Sequence, residues 1–190
     1  MIVIMFAALA TFPGRDKALA EGAHLFHRGD RVRHMILVLS GEVRLVRHQP
    51  DGRVVILQRA KARSVAAEAS LFSNAYHCDG IAVGQTSVRL IDRSLVRRRF
   101  EADPGFASLW VGHLASEIRD ARLRSEILSL KRVGERLDAW LAWHEALPAK
   151  GDWKNVAAEI GVSPEALYRE IARRGRRPAK PHASGGRDRS

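Results

Sequence analysis

Residues 152–174, DWKNVAAEIGVSPEALYREIARR, constrain the chain most, because their caps and breaks are explicit. Asp152 is placed as a helix N-cap, where a carboxylate accepts from free backbone N–H groups of the first turn. Gly161 ends that helix, since a residue without Cβ turns left-handed at no steric cost. Ser163 caps a second helix and Pro164 takes its first position, where a missing N–H does no harm. Val156 and Ile160 are four apart, as are Leu167 and Ile171, so each helix has one apolar stripe. Ala157 is small enough for a close crossing. The segment therefore has the pattern of a helix-turn-helix, whose second helix enters the DNA major groove. An ordinary αα-hairpin inside a helical domain has the same local signature.

Charge favours the first reading. The 190-residue chain carries a net +11, which suits a polyanionic partner. Residues 171–190 hold seven Lys/Arg and one Asp, hence +6, leaving +5 for the rest. Cys78 is the only cysteine, so no disulfide framework and no cysteine cluster for zinc or iron–sulfur is available. That usage fits a reducing cytoplasm. No metal site and no cofactor is expected. The apolar start, MIVIMFAALATF, is too short to span a bilayer and lacks a preceding Lys or Arg. It is expected to be a terminal helix or strand packed on the domain behind it, with no role at a membrane.

Between Ala20 and Asp92 the pattern changes to short strands. Residues 23–26 form one, followed by a turn at His27-Arg28-Gly29-Asp30. Residues 34–39 form another, ended by Ser40-Gly41. Residues 42–47 alternate, with Val43 and Leu45 on one face. Pro50-Asp51-Gly52 predicts a hairpin turn, and residues 53–58 return with Val54 to Leu57 as a buried run. Residues 81–83 and 86–91 close the set, split by Gly84. Strands at this spacing predict an antiparallel barrel or sandwich. Neither a G-x-G-x-x-G stretch nor a Walker loop is present, so a nucleotide-hydrolysing or dinucleotide domain is unsupported.

Helix returns at Ser94, and Pro104 opens a long one. Ala107, Val111, Leu114, Ile118, Ala121, Ser125 and Leu128 follow alternating steps of four and three, a heptad seam. Phe106, Leu109, Trp110 and Leu123 occupy a second face. The seam predicts pairing with a second copy of the chain, as a two-fold reader of two half-sites requires. A further helix over 131–146 forms the base of the DNA-reading pair.

A β-roll, a long dimer helix and a C-terminal helix-turn-helix, in this order, resemble the CRP/FNR family of bacterial transcription regulators. The residues carrying the resemblance are Leu25-Phe26 with Gly29-Asp30, Leu39-Ser40-Gly41-Glu42-Val43, and Ala67-Glu68-Ala69-Ser70-Leu71-Phe72. Tyr76-His77-Cys78-Asp79 and Gly161-Val162-Ser163 with Glu165 and Arg169 complete the set. The resemblance implies an α+β fold: an antiparallel, jelly-roll-like β-roll effector domain (1–103), a dimerisation helix (104–129) and a helix-turn-helix domain (130–174). A basic tail (175–190) stands where the family has its wing, so a truncated or missing wing is expected.

The resemblance places the effector pocket at residues 67–79, with Glu68, His77, Cys78 and Asp79 as candidates. In cyclic-nucleotide-binding members a glutamate holds the ribose hydroxyl, and Glu68 matches it. Their phosphate-pairing arginine and the following serine or threonine are Cys78 and Asp79 here, and the glycine before the glutamate is Ala67. An aspartate repels a phosphate, which wants a guanidinium fork or a nest of N–H groups. The pocket therefore lacks the cyclic-nucleotide clamp. His77 and Cys78 resemble haem ligands, yet neighbours on a strand face opposite ways, so at most one reaches an interior ligand.

On the DNA-reading helix the resemblance assigns Arg169 to a guanine edge and Glu165 to a cytosine amino group. Ser163 is expected to hold a phosphate at the helix start, with Tyr168 and Arg173 as further contacts. Pro164 replaces the family's first arginine. The expected dimer interface is Val111, Leu114, Ile118, Ala121, Ser125 and Leu128. The reading is thus a cytoplasmic, homodimeric regulator of transcription that binds double-stranded DNA and an unidentified small-molecule effector. The alternatives are a degenerate member that binds DNA without sequence preference, or a protein-interaction module. No nucleophile–base or paired-carboxylate constellation suggests an enzyme.

Overall fold

The computed structural model describes residues 2–51 and 54–175. The expected basic tail from 176 on, the question of the wing, and Gly52 of the expected hairpin turn lie outside these residues. The chain divides into two compact units, one ending at Ile118 and the other starting at Arg119. Each is described by itself.

The first unit opens with helix α1 (Ile2–Ala10), followed by β1 (Gly14–Leu19), β2 (His24–Phe26) and β3 (His34–His48). After them come β4 (Val54–Lys61), β5 (Ser64–Ala66), a 3₁₀ helix (Glu68–Phe72), β6 (Asp79–Asp92) and α2 (Arg93–Ala102). Helix α3 (Pro104–Ser129) starts in this unit and ends in the other. The six strands make one antiparallel sheet in the order β1-β6-β3-β4, with β2 on β6 and β5 on β3. This is the expected α+β roll.

Its interior is filled by alternate residues, among them Val38, Val43, Leu45, Ala60, Ala82 and Val88 with the stacked rings of Phe26 and Tyr76. A second core lies under the helices. There Met5 and Leu9 of α1 meet Met35, Leu37, Leu71, Ile91, Phe106 and Trp110. The apolar start is therefore a helix packed on the domain behind it, as expected.

Three strand expectations need correction. β3 does not end at Ser40-Gly41, and β6 is not split at Gly84. Gly41 sits at φ 77° at the second of two register shifts, and a Cβ there would stand 2.5 Å from the Thr86 hydroxyl. That hydroxyl donates to the Glu42 carbonyl (3.2 Å), so the glycine bends the ribbon and pairing continues. Val54 and Val55 are not buried but 51% and 43% exposed, because β4 is an edge strand and they pair with the outlying Arg47 and His48.

Asp103 caps α3, its carboxylate accepting from the Phe106 N–H (3.0 Å), with Pro104 first in the helix. In the second unit, α4 (Val133–His144) precedes α5 (Trp153–Glu159) and α6 (Pro164–Gly175). Their core joins Leu123, Ile127, Leu137, Trp140, Val156, Ala157, Ile160 and Leu167. Among the described residues no helix is long and apolar enough to cross a membrane.

Candidate functional site

The two-helix unit is built much as its punctuation demands. Gly161 adopts φ 66°, and Val162 N–H closes the turn onto the Ala157 carbonyl (2.9 Å). Ser163 Oγ accepts from the Ala166 N–H (3.2 Å) and so caps α6. Asp152 is the exception. It ends a short 3₁₀ turn in a helical conformation and makes no side-chain cap, receiving only Asn155 Nδ2 at 3.4 Å.

The outward face of α6 carries Glu165, Arg169, Ala172 and Arg173, all exposed. Glu165 is held below the usual carboxylate range by its own backbone N–H first, then by the Ser163 hydroxyl and the Arg169 charge one turn on. Two expected contacts are drawn elsewhere. Tyr168 leans on the Trp153 ring (5.3 Å between centroids), its hydroxyl 3.5 Å from the Lys150 carbonyl. Arg173 makes a two-pronged pair with Glu170 (2.7 and 2.9 Å).

Two residues that the sequence analysis does not single out hold this unit in shape. Arg136 of α4 donates to the carbonyls of Leu128 and Leu130 at the end of α3 and of Ile160 and Gly161 at the turn, at 2.8–3.1 Å. One guanidinium thus satisfies carbonyls that both helix ends leave open. Glu170, buried, receives Arg173 and Arg174, and Arg174 also binds Asp138 and the Gly134 carbonyl. The Arg173 and Arg174 hydrogen bonds, outweighing burial, pull its carboxyl down to about 2.

The seam of α3 presents exposed apolar side chains. Val111 and Ile118 are 57% and 50% exposed, and Leu128 is 44% exposed. Ala121 and Ser125 are exposed too, whereas Leu114 is half-buried against the Trp110 core. Leu128 has a second contact: a Cβ at Gly161 would meet its Cδ2 at 2.5 Å. On the other face, Phe106, Trp110 and Leu123 are buried and Leu109 is not.

In the roll, the four effector candidates do not converge. Glu68 is only 7% exposed and Cys78 lies in the core, while His77 is exposed. Asp79 turns away from Cys78, accepting the Arg28 N–H at 2.9 Å. The strand expected at His77 and Cys78 is instead a bend just before β6, which buries Cys78 and leaves His77 exposed, while Gly80 is buried and Asp79 half-buried at the start of the strand. Glu68 accepts Gln58 Nε2 (2.8 Å), and Gln58 Oε1 accepts the Ala67 N–H (3.1 Å). Burial pushes the Glu68 carboxyl up to about 7, against the Gln58 bond and with a small push from Glu117. Ala67 is left-handed (φ 57°), the conformation a glycine would supply freely. The sequence reading missed Arg47. Its guanidinium donates to the His77 carbonyl (3.1 Å), its Nε is buried without a partner among the described residues, and its charge opposes the upward push of burial on the Cys78 thiol.

Residues 16–103 match the family described as the cyclic nucleotide-binding domain, which defines the class of the roll. Over most of its length the chain is similar to solved regulators. FixK2 from Bradyrhizobium japonicum shares 19% identity, covering 85% of this chain and 84% of that one, with a TM-score of 0.67. The c-di-GMP responsive global regulator CLP from Xanthomonas campestris shares 18%, covering 91% and 90%, with a TM-score of 0.61. A CRP-family regulator from Thermus thermophilus shares 19%, covering 84% of each chain, with a TM-score of 0.58. No curated protein matches the chain by sequence. The chain thus carries a cyclic nucleotide-binding-type domain in the fold of the CRP/FNR transcriptional regulators, as the resemblance implied.

Proposed function

We propose that the chain is a homodimeric, sequence-specific DNA-binding regulator of transcription working in the cytoplasm, with no catalytic activity. The observation that carries this reading is the exposed face of α6. Arg169 and Glu165 are exposed there, one turn apart, on a helix whose inner face is held by Leu167 and Glu170 and whose preceding turn is held by Arg136. Arg169 suits a guanine edge and Glu165 a cytosine amino group, while Ser163 and the first N–H groups suit a phosphate. The exposed heptad seam supports pairing with a second copy through Val111, Ile118, Ala121, Ser125 and Leu128, which gives two reading helices for two half-sites. The roll would take a small-molecule effector other than a simple cyclic nucleotide. What supports that is Cys78 and Asp79 at the positions of the phosphate clamp.

The test is a gel-shift titration against salt, using DNA from immediately upstream of the chain's own coding sequence. A specific complex at moderate salt is expected, and Arg169→Ala should weaken it by about 1–3 kcal/mol while the dimer persists. Binding that fades equally for every sequence would replace this reading with non-specific association, and no binding at all would point to a protein-interaction module.

A further inference from the structure

On the outer side of the roll, three elements bring His24, His27 and Asp79 together. Their potential ligand atoms all lie within 4.8 Å of one another. The two imidazoles stack with centroids 4.3 Å apart, and His27 Nδ1 is 3.6 Å from Asp79 Oδ1. His48 approaches from the end of β3, its Nε2 4.0 Å from Asp79 Oδ2. From this geometry we infer that the chain has a site for a first-row transition ion, held by His24, His27 and Asp79 with His48 within reach of the fourth position.

The backbone fixes the arrangement. β2 is pinned to β6 by the pairs His24↔Ile81 and Phe26↔Gly80. The turn after it is closed by the His27 N–H on Asp30 Oδ2 (2.8 Å) and by the Gly29 N–H on the Tyr76 carbonyl (2.8 Å). Asp79 Oδ1 accepts the Arg28 N–H (2.9 Å), the kind of outer-shell bond that orients a ligating carboxylate and leaves its other oxygen free. The histidines are exposed and can turn, so closing to the spacing of about 3.4 Å that tetrahedral bonds of about 2.1 Å require takes only side-chain rotation. Two or three imidazoles with one carboxylate select zinc, nickel or copper over calcium or magnesium, which want oxygen alone. Bound there, the ion would cross-link the β2 turn, β3 and β6 at one point.

The test uses the full chain without a polyhistidine tag, stripped with chelator and titrated with zinc chloride by calorimetry. One ion per chain is expected, together with a tetrahedral visible spectrum on cobalt(II) substitution and a raised melting temperature under zinc. The double variant His24→Gln/His27→Gln, at exposed positions, should lose the site, with affinity at least about 100-fold weaker and no melting shift. Asp79→Asn keeps the acceptor for Arg28 and should weaken binding by about tenfold or more. His144→Gln, on the other unit, should leave it unchanged. Absence of saturable binding overturns the proposal, and so does one-to-one binding that survives the double variant.

Discussion

Replacing Glu68 by Gln gives the sharpest test of the roll's interior, because the buried carboxyl is raised from 4.5 to about 7 chiefly by desolvation. Between those two values the folded chain holds a proton that the unfolded chain has released. Stability therefore falls as pH rises through that window and levels off above it. At about 1.4 kcal/mol for each pH unit, the full penalty above pH 7 is about 3 kcal/mol. Glutamine has the same shape and keeps a carbonyl for the Gln58 amide, but carries no charge to desolvate. Urea unfolding of both proteins from pH 4.5 to 8.5 should show little difference at the acid end. Glu68→Gln should then gain progressively, to about 3 kcal/mol at pH 8. His113, buried on α3 with its pKa lowered by desolvation, acts in the opposite sense, its contribution being lost as pH falls below 6.5. It is common to both proteins and cancels in the difference. A difference independent of pH, or a Gln variant less stable than the parent at pH 8, would refute the reasoning. Either result would mean that hydrogen bonding to the ionised carboxylate outweighs its burial.

Other outcomes follow from single positions. Gly161→Ala must hold a left-handed turn and drive a methyl into Leu128, so thermal melting should show a loss of about 2 kcal/mol. Val111→Asp with Ile118→Asp places charge on the exposed seam; sedimentation should show monomers, with circular dichroism unchanged because neither side chain supports its own unit. Cyclic AMP should shift neither the melting temperature nor DNA affinity, and a saturable sub-millimolar site by calorimetry would contradict the missing clamp.

What the sequence made legible was local. Gly161, Ser163 and Pro164 act within one turn of chain, so the two-helix unit could be read from its letters, as could the length of α3 from its heptads. β1 escaped because GRDKAL shows no apolar alternation; it is an edge strand whose polar face is joined to β6 by the two-pronged Arg89–Asp16 pair. β5, three residues long, offered no period at all. Glycines misled where they bend a strand without ending it, as at Gly41 and Gly84. At the candidate sites, His77 and Cys78 do part company, but through a bend before β6 and not through the strand alternation expected of them. Glu170 meets Arg173 and Arg174 one turn on, and only its burial was hidden. Arg136 and Arg47 were invisible because their partners are carbonyls from elements far away in sequence. The same holds for His24, His27, His48 and Asp79, which only the sheet register collects.

The place of β6 in the sheet sets an order on folding. It hydrogen-bonds β1, β2 and β3, and its partners in β1 lie some seventy residues earlier, as in Gly14↔Ile91 and Leu19↔Thr86. A chain emerging from the ribosome therefore holds β1, β2 and β3 without their common neighbour until Asp92 is out. Their unpaired edges stay exposed for that interval, and closure waits on contacts of high sequence separation, the slow kind. The second unit joins helices through shorter loops and has no such wait. The roll is thus the half of the chain whose yield should respond most to slowed translation or to chaperones, and its commitment to fold comes in one late step, when β6 arrives.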